Sequence, residues 1–252
     1  DSARRRAGQM GAGMRAAELF YDRADSAFAQ ARAEDFDWAQ ALHGCDALHL
    51  TGITPALGPG PAALALAAAQ AARASGLTVS FDCNYRSQLW ARSGLDARAV
   101  LTPIVAEAEI VFGNHRDIAL LLGRDLAGDT APERRAAAQA AFARFARLQV
   151  IAATSRIVVD AGRHVLGGRI DRRDDAIEGE PIELAGIVDR IGAGDAFAAG
   201  VLHALRHQRP PSAALASGLA LAALKHALPG DSARFDAAEI EAALAGVRDL
   251  QR

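Results

Sequence analysis

From residue 47 to residue 153 the sequence switches repeatedly between short apolar runs of β type and longer alanine-rich runs of helical type. ALHLTGI (47–53), LTVSFD (77–82), EIVFG (109–113) and QVIAA (149–153) read as strands. GPAALALAAAQAARASG (60–76), DARAVLTPIVAEA (96–108), HRDIALLLG (115–123) and PERRAAAQAAFARFARL (132–148) read as helices, the first and third closed by Gly76 and Gly123. Pro103 predicts a kink or a late start in the second of them. Strands alternating with helices of this length form βαβ units, so a mainly parallel sheet covered on both faces is expected. Residues 155–188 are more polar and β-like, with turns expected at Gly167-Gly168 and Gly179-Glu180-Pro181 and a solvated turn at DRRDD (171–175). Two long helices, 194–207 and 212–227, follow.

A chain of 252 residues, 51% of them hydrophobic, can bury one large core, and nothing resembling a linker or repeat divides it. A single domain over 1–252 is expected. The net charge of −2 creates no field that would favour nucleic acid or a membrane surface. Lys225 is the only lysine in an arginine- and alanine-rich composition, which reads as coding bias. Cys45 and Cys83 have neither CxxC nor zinc-ligand spacing, which argues for a reducing compartment. No apolar run approaches a membrane span, and DSARRRAGQMGAGM lacks the apolar centre of a signal peptide. A cytoplasmic protein is expected.

In a parallel sheet, ligands collect at the carboxyl ends of the strands. TGIT (51–54), DCNYR (82–86) and GNHRD (113–117) fall at such ends, and Gly192-Ala193-Gly194-Asp195 opens a helix. Glycines let backbone N–H groups approach an anion, and a helix start adds unpaired N–H groups and a positive dipole end. A plain helix cap satisfies the same four residues. No G-x-x-x-x-G-K-S/T is present, and Phe197 stands where a dinucleotide fingerprint needs its third glycine. An acid beside an anion hole suits phosphoryl transfer: Asp195 takes the proton of an attacking hydroxyl, while N–H groups from 192 to 195 stabilise the charge on the phosphoryl group.

Asp189 to Gly200 matches D-x-x-G-A-G-D-x-F-x-x-G throughout, the late signature of the ribokinase-like (PfkB) carbohydrate kinases, and the chain resembles that family. FYDRADSAFA (20–29), ALHLTGITPAL (47–57), SFDCNYRSQLW (80–90) and LKHALPGD (224–231) resemble its 2-keto-3-deoxygluconate kinase branch. The resemblance covers nearly all of residues 18–232. It implies a three-layer α/β/α sandwich with a mainly parallel central sheet and a small β lid, of which 18–30 is the remaining segment. About ninety residues that precede this segment in the family, with the first strand and part of the lid, have no counterpart here, and a short strand is expected to be missing near Met10-Gly11.

The resemblance further implies ATP-dependent phosphorylation of 2-keto-3-deoxygluconate to 2-keto-3-deoxy-6-phosphogluconate. Asp195 is then the catalytic base and Gly192, Ala193 and Gly194 the anion hole. Tyr21, Arg23 and Arg86 contact the substrate, and an arginine fork fits the carboxylate of a sugar acid. Asn114 and Asp117 fall on the family's N-x-x-E, tied to phosphate and magnesium, with the acid shortened to Asp. Thr154 and Arg156 fall beside the nucleotide. ATP and Mg2+ are the implied cofactors, and pairing through the lid makes a homodimer the implied assembly. A kinase for a neutral sugar such as fructose or ribose, and a non-catalytic ligand-binding member of the fold, are the alternatives.

The remaining polar features have plain readings. His203 and His207, four apart on a helix, lack a third metal ligand. His49 alternates with leucines as a hydrogen-bonded core or edge residue. Cys83 has no evident base beside it, and Asp82 at a strand end can orient Arg86 or substrate. No G-x-S-x-G elbow supports a hydrolase.

Overall fold

The computed structural model describes residues 5–9, 18–22 and 26–246. The described residues divide into two compact units. One comprises 5–7, 20–22, 26–151 and 171–174; the other comprises 8–9, 18–19, 152–170 and 175–246. Strands β1 (Arg5–Gln9) and β2 (Glu18–Asp22) pair as a two-stranded sheet. Tyr21 lies on β2, while Arg23 and Met10-Gly11 lie outside the described residues.

In the first unit short helices α1 (Ala27–Gln30) and α2 (Trp38–Ala41) lead into β3 (Ala47–Thr51), α3 (Pro59–Ala74) and β4 (Thr78–Asp82). Helices α4 (Ser87–Ser93) and α5 (Ala97–Val105), strand β5 (Ile110–Phe112), helices α6 (His115–Leu122) and α7 (Ala131–Arg144), and the start of β6 (Val150–Asp160) follow. β3, β4 and β5 lie side by side in parallel, with Thr51 opposite Asp82 and Asp82 opposite Phe112. The three polar strand ends read from the sequence therefore come out on one edge. Val79 and Phe81 on β4 and Ile104 on α5 are fully buried in a core that includes Ala69 and Ala72 of α3. Alanine there replaces bulk with close approach of helix to sheet.

Local sequence sets the helix boundaries. Asp96 caps α5 by accepting the N–H groups of Arg98 and Ala99 at 2.9 and 3.2 Å. This strong cap starts the helix at Ala97, so Pro103 does not delay it and sits in its last turn, the helix ending two residues later at Val105. Thr130 and Glu133 close a reciprocal cap on α7. That helix ends at Arg144 rather than at 148, with Phe145 turned into an extended conformation and fully buried.

DRRDD is the solvated turn expected over 172–175, which are exposed, but not at its first residue. Asp171 is buried and pairs with Arg135 at 3.2 Å. Arg173 lies over the Phe142 ring and donates to the carbonyls of Phe142, Phe145 and Ala146. Both arginines tie this segment to α7 within the first unit.

In the second unit β6, β7 (Arg163–Arg172) and β8 (Ala176–Glu178) are neighbours in that order, and β9 (Ile182–Ala185) runs antiparallel to β7. β6 runs on to Asp160, well past the run QVIAA. The chain reverses at Ala161-Gly162, where Asp160 accepts the N–H of Gly162 at 2.9 Å. Gly167-Gly168 therefore lies inside β7 and is not a turn. Its glycines serve close approach: a Cβ on Gly168 would stand 2.9 Å from Leu219 and 3.1 Å from Leu215. Gly179-Glu180-Pro181 does separate β8 from β9.

Helices α8 (Ala193–Arg206), α9 (Pro211–Lys225) and α10 (Ala237–Leu244) complete the second unit. α8 and α9 cross at Gly200 and Gly218. A Cβ on Gly200 would stand 2.6 Å from the Ser217 carbonyl oxygen, so the last glycine of the signature sets how closely α9 packs on α8. No helix among the described residues is long and apolar enough to cross a membrane.

Candidate active site

The first unit gathers one set of polar groups at the carboxyl ends of β3, β4 and β5. The Gly52 N–H donates to the Asp82 carbonyl at 2.7 Å, and a Cβ at Gly52 would collide with the Cys83 carbonyl. Asp82 accepts the N–H of Asn84 at 3.0 Å, holding Asn84 in its positive-φ turn. Asn84 in turn donates to Thr51 Oγ1 at 3.4 Å. Asp82 thus shapes the turn that leads to Arg86, the exposed residue that opens α4.

Asn114 caps α6, its Oδ1 accepting the Arg116 N–H at 2.8 Å, and Asp117 Oδ2 accepts the Asn114 N–H at 2.8 Å. Burial raises the Asp117 carboxyl above its usual range, against the Asn114 hydrogen bond and the nearby Arg86 charge, which both pull it down. Cys83 is buried, and its thiol is pushed well up by burial and then by the charges of Asp117 and Asp82. A thiol so placed is held protonated and unreactive. Arg86 and Asp117 are therefore near enough for their charges to interact, and Asn114 is bonded to Asp117. His49 donates to or accepts from Ser80 Oγ at 2.8 Å on the edge strand, which agrees with its plain reading.

The second unit builds the glycine turn. Gly192 caps α8 with φ +78°, and a Cβ there would stand 2.0 Å from the Asp231 carbonyl oxygen. Only glycine satisfies both conditions. Gly194 has open space where its Cβ would be. Ala193 donates its N–H to Arg190 at 3.3 Å and Ala196 to Gly192 at 2.8 Å. Among the described residues the N–H groups of Gly192, Gly194 and Asp195 meet no acceptor. Asp195 lies exposed in the first turn of α8, beside those groups.

Asp189 anchors this turn. It is buried, and its carboxylate accepts the Ile191 N–H on Oδ1 and the Gly230 N–H on Oδ2, each at 3.0 Å. Its own N–H and that of Val188 donate to the His226 carbonyl at 3.2 and 2.9 Å. His226 follows Lys225, a fully buried lysine whose Nζ donates to the Leu228 carbonyl at 2.8 Å.

Sequence reading assigned no role to Asp189, Lys225 or His226. Lys225 did carry a signal, since a charged residue inside the apolar run LASGLALAALKHAL must be buried and partnered.

Thr154 and Arg156 are exposed on β6. Desolvation, and then the like charge of Arg190, lowers the Arg156 guanidinium. His203 and His207 pack edge to face at 4.5 Å, and no group of three or more possible metal ligands occurs among the described residues.

A family model described as pfkB family carbohydrate kinase matches residues 15–237. The chain is 32% identical over 238 residues to the 2-dehydro-3-deoxygalactonokinase of Haloferax volcanii, covering 94% of this chain and 69% of that protein. It superposes on the crystal structure of 2-dehydro-3-deoxygluconokinase from Thermotoga maritima with a TM-score of 0.90 at 29% identity, over 98% of this chain and 74% of that one. A PfkB family carbohydrate kinase from Listeria grayi gives a TM-score of 0.88 at 28% identity, over 97% and 74%. The protein is thus an enzyme of the ribokinase-like α/β class, a carbohydrate kinase. It belongs to the pfkB family.

Proposed function

We propose that the protein phosphorylates the terminal hydroxyl of 2-keto-3-deoxygluconate with ATP, giving 2-keto-3-deoxy-6-phosphogluconate. The observation that carries this reading is the position of Asp195, an exposed carboxylate in the first turn of α8 beside three N–H groups without an acceptor among the described residues. A carboxylate is favoured at that end of a helix, and so is a phosphate. In this reading Asp195 takes the hydroxyl proton as oxygen attacks the γ-phosphorus, and the N–H groups of Gly192, Gly194 and Asp195 stabilise the charge that builds on the phosphoryl oxygens.

The sugar acid is supported by the relatives from Haloferax volcanii and Thermotoga maritima, which are named as kinases for 2-dehydro-3-deoxy sugar acids. Arg86, with Tyr21 and Arg23, would take the carboxylate of that substrate. Thr154, Arg156 and Asn114 would lie along the nucleotide. The open N–H groups of the glycine turn fit the phosphates of ATP.

The donor set also fits magnesium, which binds mostly through phosphates, water and one or two carboxylates. Asp117 would supply the carboxylate, since the N–H of Asn114 engages only its Oδ2. The ion would neutralise phosphate charge. A homodimer joined through the lid segment 18–30 completes the reading.

The test is ADP release by the purified protein with 2-keto-3-deoxygluconate, 2-keto-3-deoxygalactonate, fructose and ribose side by side. Turnover on the gluconate that disappears in Asp195→Asn and falls steeply in Arg86→Ala supports the proposal. Faster turnover on the galactonate would move the substrate to its epimer. Turnover on fructose or ribose that Arg86→Ala leaves intact would replace the sugar acid by a neutral sugar. No ADP release above the Asp195→Asn level would remove the kinase reaction.

A further inference from the structure

The Leu228–Asp231 turn meets the glycine loop at two points. Gly230 donates its N–H to Asp189 Oδ2 at 3.0 Å, and the Asp231 carbonyl oxygen stands where a Cβ of Gly192 would be. The position of the glycine loop therefore depends on the position of this turn. Gly230 itself has φ +89°, which glycine adopts without strain, so the constraint on the turn's position lies elsewhere.

That constraint comes from the end of α9. Lys225 is fully buried, and its Nζ reaches three residues ahead to the Leu228 carbonyl at 2.8 Å. The next residue, His226, accepts the N–H groups of Val188 and Asp189 on its carbonyl. One end of α9 thus holds the segment entering the loop, while Lys225 holds the turn that packs beneath it. A buried lysine is retained only where its amine has a defined partner, because desolvation of a charged group is costly. A methionine of similar volume would fill the same space without that cost.

We propose that Lys225 is a positioning residue for phosphoryl transfer, acting through the Leu228–Asp231 turn to set the N–H groups of the Gly192–Asp195 loop. The proposal rests on the reading of that loop as the anion hole. Lys225 touches no reacting atom. Its loss displaces N–H groups that matter most in the transition state, so kcat falls while the KM for the sugar acid stays near its original value.

The test compares Lys225→Met, Asp189→Asn, their double variant and Asp195→Asn by steady-state ADP release, with thermal melting as a check on folding. Lys225→Met is expected to lower kcat roughly ten- to hundredfold with an unchanged sugar KM. Asp189→Asn cuts the same connection at its other end, so the double variant should be little worse than the poorer single one.

Should Lys225→Met not fold, Lys225→Gln carries the test, since it keeps a donor in reach of the turn and should retain more turnover than Asp189→Asn. A kcat unchanged in the folded Lys225 variant, or losses that multiply in the double variant, overturns the proposal. If Asp195→Asn also retains turnover, the anion-hole reading itself has failed. If only Lys225→Met retains it, that reading stands and the role of Lys225 falls.

Discussion

The buried carboxylate of Asp189 joins two turns that lie 41 residues apart in sequence, accepting the N–H of Gly230 at 3.0 Å. On its other oxygen it holds Ile191, two residues along its own loop. Asp189→Ala leaves both donors unpaired, one of them between packed segments. Hydrogen bonds to a charged acceptor contribute more than neutral ones, so the folded state should lose about 2–4 kcal/mol. The urea midpoint of the purified variant measures this. Unchanged stability would mean that water replaces the carboxylate in both bonds.

The two glycines of the loop predict opposite outcomes. Gly192→Ala requires a side chain at φ +78°, with its Cβ driven into the Asp231 carbonyl. One of the two segments must move, and turnover should fall by roughly a hundredfold or more. Gly194→Ala meets open space inside a helix, where alanine is intrinsically better than glycine by about 1 kcal/mol. Its melting temperature should be equal or higher. Parallel melting and ADP-release measurements on the two variants separate a backbone requirement from a general need for small residues.

Much of this was legible because it is local. The period of the apolar runs, the Gly76 and Gly123 stops and the glycine turn before α8 all follow from the residues at hand. Gly167-Gly168 misled because a glycine pair serves a turn and a crowded strand equally well. The difference lies in Leu215 and Leu219, which reach the strand from α9. DRRDD misled only at Asp171, whose charge looks solvated until Arg135 of α7 is seen to meet it. Asp189 meets Gly230, 41 residues away, so no local pattern could assign it that role, whereas Lys225 reaches only three residues ahead and its burial was legible in the apolar run around it.

That ion pair makes its own prediction. Asp171 is nearly inaccessible, and Arg135 also donates to the carbonyls of Arg172 and Arg173. Arg135→Met removes the cation and leaves the carboxylate with a smaller set of partners. Because Arg135 is partly exposed, the loss should sit below that of a fully buried pair, at about 2–3 kcal/mol. Asp171→Asn combined with Arg135→Met should recover part of it, which a double-mutant cycle in urea would resolve. Strict additivity would show that the two side chains contribute independently.

Acid should weaken the second unit through its two buried histidines. The rings of His164 and His226 lie 6.4 Å apart, and both pKa values are depressed below 6.5, first by desolvation. His226 Nδ1 lies 2.7 Å from the Ala222 carbonyl and so carries the proton, which leaves Nε2 buried without a partner among the described residues. His164 Nδ1 is likewise buried and unpartnered. Arg156, Arg190 and Lys225 add positive charge around the pair, against Asp160 and Asp189. A second proton on either ring would therefore have neither an acceptor nor a favourable field.

The unfolded chain takes up that proton near pH 6.5 and the folded chain only below it. The stabilisation is accordingly complete above about 6.5 and is lost as pH falls through the lower folded-state values. Each ring can contribute a slope of at most about 1.4 kcal/mol per pH unit. Asp117 opposes this at lower pH, since its raised carboxyl takes up a proton more readily in the folded protein. Urea midpoints between pH 8 and pH 5.5 should fall with acidity, and His226→Gln with His164→Phe should flatten the profile. A wild-type profile already flat over that range would mean that both rings accept the second proton inside the fold without penalty.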